Sequence, residues 1–136
     1  MATRTVLIID DHADTRTILS ARLTKHHYNT VFAADGLQAT AVARQVQPDV
    51  IILDLGLPGG SGFVVLQRLK SNTMLVGTPV IILTADESPE SKLKALAAGA
   101  AAYLQKPVEE DALVAAVDGV LRRVAESMTP DVGRHR

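Results

Sequence analysis

Residues 50–54 read Val50-Ile51-Ile52-Leu53-Asp54: four apolar residues, three of them β-branched, closed by an acid. The chain repeats this form twice, in Val6-Leu7-Ile8-Ile9 before an acidic pair and in Val80-Ile81-Ile82-Leu83 before a threonine. Short apolar runs rich in β-branched residues are typical of strands that are buried on both faces of a sheet. The three runs therefore predict the central strands of one sheet.

Stretches with helical spacing lie between these runs and two weaker strand candidates, residues 28–33 and 101–104. Glycine and proline, as in Asp35-Gly36 and at Pro79 and Pro107, mark the turns between the elements. A strict alternation of strand and helix, repeated five times, implies an α/β fold in which helices cover both faces of a parallel sheet. The predicted helices are residues 13–25, 37–46, 62–70, 90–98 and 109–126.

The length of 136 residues fits one domain. We predict that this domain spans residues 3–126 and that residues 127–136, which show no apolar periodicity, form a short flexible tail too small for an output module. The apolar fraction of 47% is enough for a core, and with two Phe, two Tyr and no Trp that core must be largely aliphatic.

The net charge and composition exclude several function classes. A formal net charge of −1 and few aromatic residues argue against direct binding of nucleic acid, which rewards basic surfaces and stacking side chains. The absence of cysteine excludes disulfides, thiolate catalysis and cysteine-based zinc sites. No apolar stretch approaches the roughly 18 residues of a membrane span. We therefore expect a cytoplasmic protein that does not bind the membrane.

Four of the five predicted strands end in residues that carry chemistry. The first is followed by Asp10 and Asp11, the third by Asp54, the fourth by Thr84, and the fifth leads into Lys106. In an open parallel α/β sheet, ligands bind outside the carboxyl ends of the strands. We therefore expect three acids, a hydroxyl and an ammonium to meet at one edge of the sheet.

Three carboxylates so close together repel one another unless a cation neutralises them. Mg²⁺ suits this set, because it prefers oxygen ligands and is normally held by one or two carboxylates together with a phosphate. With the charge balanced, one carboxylate can attack a phosphoryl group and form an aspartyl phosphate. Lys106, Thr84 and the cation would then contact the three phosphoryl oxygens.

Each of these residues also has an ordinary structural explanation. A single Asp after a strand is usually a turn former or a helix cap, a Thr is often an N-cap, and a Lys is usually a solvated charge. Their joint placement at the ends of different strands is what favours a functional site. Four residues, His12, His26, His27 and His135, lack metal-ligand spacing in the sequence and are predicted to be surface residues.

With these motifs in this order, the sequence resembles the receiver domains of two-component response regulators, from about residue 3 to residue 125. The order and spacing of the whole set carry the resemblance, and no single motif does. The matching residues are Asp10-Asp11, Asp54 at the end of its apolar run, Leu57-Pro58, Gly62, Thr84-Ala85, Gly99-Ala100 and Tyr103-Leu104-Gln105-Lys106-Pro107.

The resemblance implies a flavodoxin-like, doubly wound (βα)5 sandwich with strand order 2-1-3-4-5. It implies that a sensor histidine kinase or a histidine phosphotransfer protein phosphorylates Asp54. It further implies that Asp11, Asp54 and the backbone carbonyl of Gly56 bind Mg²⁺, with Asp10 acting through water, and that the Lys106-Pro107 bond is cis. Such a domain catalyses its own phosphorylation and dephosphorylation, and it is a signalling switch rather than a turnover enzyme.

For the switch, the resemblance implies that Thr84 moves toward the phosphoryl group and Tyr103 swings inward. These movements would remodel the face made by the fourth helix, fifth strand and fifth helix for a downstream effector protein or domain. Without the resemblance, an aromatic residue in a strand is usually a core or sheet-surface residue. We expect a monomer or weak dimer, because Ala101 and Ala102 stand where many DNA-binding relatives carry acids that pair across a dimer. The hypothetical output surface includes Lys92, Tyr103, Ala112, Ala115 and Gly119.

Two other functions stay open. A haloacid-dehalogenase-like phosphatase uses nearly the same groups, but its nucleophile lies on the first strand and is followed two residues later by a second Asp, where this chain has Gly56. A receiver-like scaffold that binds partners without phosphorylation would not need the complete set of acids, Thr84 and Lys106. Gly56 and Asp86, which follow Asp54 and Thr84 by two residues each, leave the lifetime of the phosphorylated state open.

Overall fold

The computed structural model describes residues 3–57 and 62–128 and contains every predicted strand and helix, with ends that differ by two residues at most. α5 includes two residues that the sequence assigned to the tail, Ser127 and Met128. The rest of that tail and the predicted turn at Pro58 lie outside the described residues. The elements are β1 (Thr5–Ile9), α1 (Ala13–Lys25), β2 (Asn29–Ala33), α2 (Gly36–Val46), β3 (Val50–Leu53), α3 (Gly62–Ser71), β4 (Val80–Thr84), α4 (Pro89–Ala97), β5 (Ala102–Gln105) and α5 (Glu110–Met128).

All five strands are parallel and lie in the order β2-β1-β3-β4-β5, which confirms the predicted flavodoxin-like topology. The order reverses between β1 and β3, so the chain winds outward from the centre in both directions. In the sheet register Ile9 lies beside Leu53, and Leu53 lies beside Ile82. Asp10 after Ile9, Asp54 after Leu53 and Thr84 at the end of β4 therefore emerge together at the carboxyl edge.

The core has two layers, one on each face of the sheet, because neighbouring residues of a strand point to opposite faces. On β1, Leu7 and Ile9 pack with α2, α3 and α4, whereas Val6 and Ile8 pack with α1 and α5. Every residue of β3 and β4 is buried. This burial explains why the central strands are continuously apolar in sequence.

The helices differ in how firmly the core holds them. α5 presents the stripe that its spacing predicts, with Leu113, Val117 and Val120 all buried. α4 has a single buried residue, Ala95, while Leu93 and Leu96 are 68% and 40% exposed. Elements with few buried apolar contacts open locally at lower free-energy cost than the core. α4 is therefore the helix most easily displaced from this sheet.

The start of α3 approaches the end of β3 so closely that only glycine fits. A Cβ atom on Gly62 would lie 2.4 Å from Leu55 Cα and 2.6 Å from the Asp54 carbonyl oxygen. The Gly62 amide donates a hydrogen bond to the Leu55 carbonyl oxygen at 2.9 Å. Gly62 thus fixes the backbone that follows Asp54.

We expect Gly62→Ala to lower the free energy of unfolding by about 1–3 kcal/mol, because the new methyl group forces backbone apart in a packed region. Gly119→Ala is the matched control, since Gly119 lies within α5 with open space around its Cα. That change should raise stability by about 0.5–1 kcal/mol through helix propensity. Urea denaturation measures both, and a Gly62→Ala protein as stable as wild type would contradict the close approach.

Candidate functional site

Three polar residues are buried at the carboxyl edge of the sheet. Asp10, Asp54 and Thr84 are 2%, 6% and 3% exposed, and they are the buried polar residues within the described part of the chain. Burial of an ionised carboxylate is costly unless it is paired and hydrogen-bonded. Two buried carboxylates at neighbouring strand ends therefore require a compensating positive charge nearby.

Lys106 provides the positive charge that compensates these carboxylates. Its Nζ donates hydrogen bonds to Asp10 Oδ2 at 2.7 Å and to Asp54 Oδ2 at 3.0 Å. The backbone positions it, since the Lys106 amide donates to the Thr84 carbonyl oxygen at 2.8 Å and the Lys106-Pro107 bond is cis, as predicted. Burial acts to lower the pKa of Lys106, but the hydrogen bonds and charges of Asp10 and Asp54 outweigh it and raise that pKa above its usual 10.5.

The third carboxylate, Asp11, has an oxygen without a hydrogen-bond partner. Within the described residues Asp11 Oδ1 is buried and accepts no hydrogen bond, and the His12 ring nitrogen Nδ1 lies 3.3 Å from it. Ligand atoms of Asp10, Asp11, His12 and Asp54 all lie within 4.8 Å of one another. An unsatisfied carboxylate oxygen among other acids fits a divalent cation, which would supply the missing partner.

His12 corrects one sequence-based prediction. Its side chain is 67% exposed, as predicted for a surface residue, but its ring nitrogen lies among the acids and not away from them. Asp10 Oδ1 accepts a hydrogen bond from the His12 amide at 2.9 Å and lies 3.3 Å from His12 Nδ1. Sequence spacing missed this because the turn after β1, and not the spacing of residues, sets the direction of the His12 ring.

Asp54 opens into a cleft of about 650 Å³ that also exposes Lys106 and Thr84 to a ligand. The Gly56 amide donates to Asp54 Oδ1 at 3.0 Å, so within the described residues a donor binds each carboxylate oxygen of Asp54. The structure thus brings together five of the predicted residues, namely Asp10, Asp11, Asp54, Thr84 and Lys106. The Gly56 carbonyl as a metal ligand stays a prediction.

The family model of the response regulator receiver domain matches residues 6–118. The chain belongs to this family. It is therefore a signalling domain of two-component systems, and its acids follow the order of a receiver rather than that of a dehalogenase-like phosphatase.

Relatives of this receiver domain include both long and short proteins. The chain is 39% identical over 123 residues to the phosphate regulon transcriptional regulatory protein PhoB of Pseudomonas aeruginosa, a match that covers 90% of this chain and 54% of PhoB. It is 35% identical over 116 residues to protein PilH of the same organism, covering 85% of this chain and 96% of PilH. The chain spans about half the length of the first three curated relatives that it matches.

Among solved structures, the chemotaxis response regulator CheY4 of Vibrio cholerae superposes with a TM-score of 0.80 at 33% identity. The match covers 90% of this chain and 99% of CheY4. The fold of this chain is thus that of a solved response regulator. Within residues 3–57 and 62–128, no helix of the receiver domain is long and apolar enough to cross a membrane.

Tyr103, the predicted switch residue, lies outside the cleft and is tied to the loop between β4 and α4. Its hydroxyl donates to the Asp86 carbonyl oxygen at 2.9 Å, and its ring packs at the edge of the core. The Asp86 carboxylate accepts from Ser91 Oγ at 2.5 Å and from the Ser88 amide at 2.8 Å, and these hydrogen bonds hold the pKa of Asp86 below its usual value. Sequence reasoning named Asp86 but did not foresee these contacts.

We expect Lys106→Met to destabilise the receiver domain by about 1–3 kcal/mol at neutral pH, because two buried carboxylates lose their counter-charge. Because folding raises the pKa of Lys106, the charged side chain stabilises the folded state. This contribution to the free energy of unfolding is fully present below pH 10.5 and is lost as the pH rises through the folded-state pKa. Lys92→Met, at an exposed position of α4, is the control. Equal unfolding free energies for the two variants in urea would refute the electrostatic role.

Proposed function

We propose that Asp54 is the phosphoacceptor of this receiver domain and takes its phosphoryl group from a histidine kinase or a histidine phosphotransfer protein. The observation that carries the proposal is the position of the Asp54 carboxylate, which lines the cleft beside Lys106 Nζ and the Gly56 amide, each 3.0 Å away. A nucleophile must reach its electrophile, and Asp54 has the open side that this requires.

Asp10 is the alternative nucleophile, and its position argues against that role. Its two oxygens accept from Lys106 Nζ at 2.7 Å and from the His12 amide at 2.9 Å, and the oxygens of Asp54 have comparable donors, so hydrogen bonding does not separate the two acids. The difference is that Asp10 is absent from the residues that line the cleft. Asp10 therefore acts as a fixed charge that orients Lys106, and Asp54 carries out the transfer.

In the transfer step, a carboxylate oxygen of Asp54 forms a bond to phosphorus while the bond between phosphorus and the donor histidine nitrogen breaks. The leaving imidazole keeps the bonding electron pair and is free to take a proton. The Lys106 ammonium and the Thr84 hydroxyl, which face the same cleft, contact two phosphoryl oxygens and stabilise their charge.

The acidic cluster is proposed to bind Mg²⁺ through Asp11, Asp54 and the Gly56 carbonyl, with Asp10 acting through water. When bound, the cation neutralises carboxylate charge and the developing charge on the phosphoryl oxygens. Asp11 Oδ1 supports this assignment, since it accepts no hydrogen bond within the described residues and the His12 ring nitrogen lies 3.3 Å away.

The phosphorylated state is proposed to be long-lived. Gly56 has no side chain that could position an attacking water, and the Asp86 carboxylate is engaged by Ser88 and Ser91 at the start of α4. Neither residue therefore offers a free base beside the phosphoryl group. Slow autodephosphorylation suits a signalling switch that must persist until its effector binds.

The switch is proposed to act through the loop that joins β4 to α4. Thr84 Oγ1 accepts from the Asp86 amide at 3.4 Å, and Tyr103 binds the Asp86 carbonyl oxygen, so Asp86 links the cleft to β5. A phosphoryl group that attracts Thr84 would disturb this link and shift α4. The resulting face of α4, β5 and α5, including Lys92 and Tyr103, is proposed to bind a downstream effector protein or domain in the cytoplasm.

Intact mass after incubation with acetyl phosphate tests the phosphoacceptor. We expect wild type to gain one phosphoryl group in the presence of Mg²⁺ and Asp54→Asn to gain none. Asp111→Asn, at an exposed position in the first turn of α5, should behave as wild type. A phosphoryl group that still appears on Asp54→Asn would reject Asp54, and an unmodified wild type, even with a second small phosphodonor, would favour the scaffold.

Hydrogen exchange tests the link between Tyr103 and the α4 loop. We expect Tyr103→Phe to speed the exchange of α4 amides severalfold, because a hydrogen bond worth about 0.5–1.5 kcal/mol no longer holds the Asp86 carbonyl. Tyr28→Phe is the matched control, since the Tyr28 hydroxyl binds Asp118 on α5 instead. Unchanged α4 exchange in Tyr103→Phe would show that this hydroxyl does not hold the loop.

A further inference from the structure

We propose that His12 supplies a ring nitrogen to the divalent cation of this receiver domain, so that the site binds first-row transition cations such as Mn²⁺ and Co²⁺ more tightly than an all-oxygen site would. The inference rests on the proposed function, in which Asp11 and Asp54 bind a cation and Asp10 acts on it through water. It adds a ligand that the resemblance to receiver domains did not supply.

The spacing of the atoms is that of neighbouring ligands around one ion. His12 Nδ1 lies 3.3 Å from Asp11 Oδ1 and 3.3 Å from Asp10 Oδ1. In an octahedral site with ligands at about 2.1 Å, adjacent ligand atoms lie about 3 Å apart. One cation can therefore contact the His12 nitrogen and the unsatisfied Asp11 oxygen together with only a small adjustment.

The backbone directs the His12 ring toward the acids. His12 is the N-cap residue of α1 in an extended conformation, yet its side chain makes no capping hydrogen bond to the helix. Its amide is anchored instead on Asp10 Oδ1 at 2.9 Å, and its ring lines the same cleft as Asp54 and Lys106. The ring is thus held beside the acidic cluster and makes no hydrogen bond to the backbone of α1.

The chemistry of a mixed site sets the expected selectivity. Mg²⁺ prefers oxygen ligands and keeps several waters, so an imidazole adds little to its binding. Imidazole suits later first-row cations, whose affinity for nitrogen sites rises from Mn²⁺ through Co²⁺. His12 should therefore raise the affinity for Co²⁺ and Mn²⁺ while leaving that for Mg²⁺ nearly unchanged.

Calorimetric titration of the full chain with Mg²⁺, Mn²⁺ and Co²⁺ tests the selectivity. We expect His12→Asn to lower Co²⁺ affinity about tenfold and to change Mg²⁺ affinity by less than about twofold, since asparagine offers only an oxygen ligand. His27→Asn is the matched control: His27 is exposed after α1, and its positive φ of 71° is one that asparagine tolerates. Its Co²⁺ affinity should equal that of wild type.

Electron spin-echo modulation of the Mn²⁺-loaded protein detects the nitrogen directly and needs no phosphorylation. We expect a histidine nitrogen coupling in wild type and His27→Asn and none in His12→Asn. If wild type binds Mg²⁺ and Mn²⁺ but shows no nitrogen coupling, His12 is not a ligand and its Nδ1 only donates to Asp10. The proposed metal site itself would still stand. A coupling that survives in His12→Asn would overturn the role of His12 as well, whereas failure to bind either cation would overturn the proposed metal site itself.

Discussion

The arrangement of this domain depends on the ammonium of Lys106, which lies between two carboxylates that could not otherwise be buried side by side. Asp10 and Asp54 follow strands that are neighbours in the sheet, so the topology forces their charges together. Lys106 comes from the other side, at the end of β5, where its amide binds the strand end that carries Thr84. Strand order and electrostatic balance therefore depend on each other. A sheet in which β1 and β3 were not neighbours would separate Asp10 from Asp54, and the Lys106 ammonium could not bind both.

This balance is incomplete, and the incompleteness makes the site responsive. Lys106 donates to Asp10 and Asp54 but not to Asp11, whose buried oxygen Oδ1 has no hydrogen-bond partner among the described residues. A divalent cation fits this deficit, and a phosphoryl group on Asp54 would then add negative charge and new acceptors beside Thr84. A site whose donors and acceptors were fully matched would gain little from such a ligand.

Much of this could be predicted from the sequence, and the remainder depends on orientation. The apolar runs that end at Ile9, Leu53 and Leu83 identify the buried strands, and the convergence of parallel strand ends predicts that Asp10, Asp54 and Lys106 meet. Periodicity alone does not fix the strand order, which came from the resemblance to receiver domains.

The details that the sequence missed depend on where short turns direct a side chain. The turn after β1 sends the His12 ring back to the acids, and the loop before α4 brings the Asp86 carbonyl to Tyr103. The close approach of Gly62 to the end of β3 is likewise a matter of three-dimensional distance. No spacing rule encodes these contacts, because each joins an element to a loop whose conformation is set by the packing.

The core holds the helices with unequal strength, and this difference explains how a charge change at Asp54 could move a helix at some distance from it. The strands that precede Asp10 and Asp54 are buried on both faces, so displacing these acids would cost much free energy. α4 is held by Ala95, by its caps at Ser88 and by the contacts of Asp86. Hydrogen bonds of about 0.5–1.5 kcal/mol each hold such an element, and charge-assisted contacts to a phosphoryl group are of comparable or greater strength. We therefore expect such a perturbation to leave β3 in place and to move α4, in keeping with the response proposed for the face next to Tyr103.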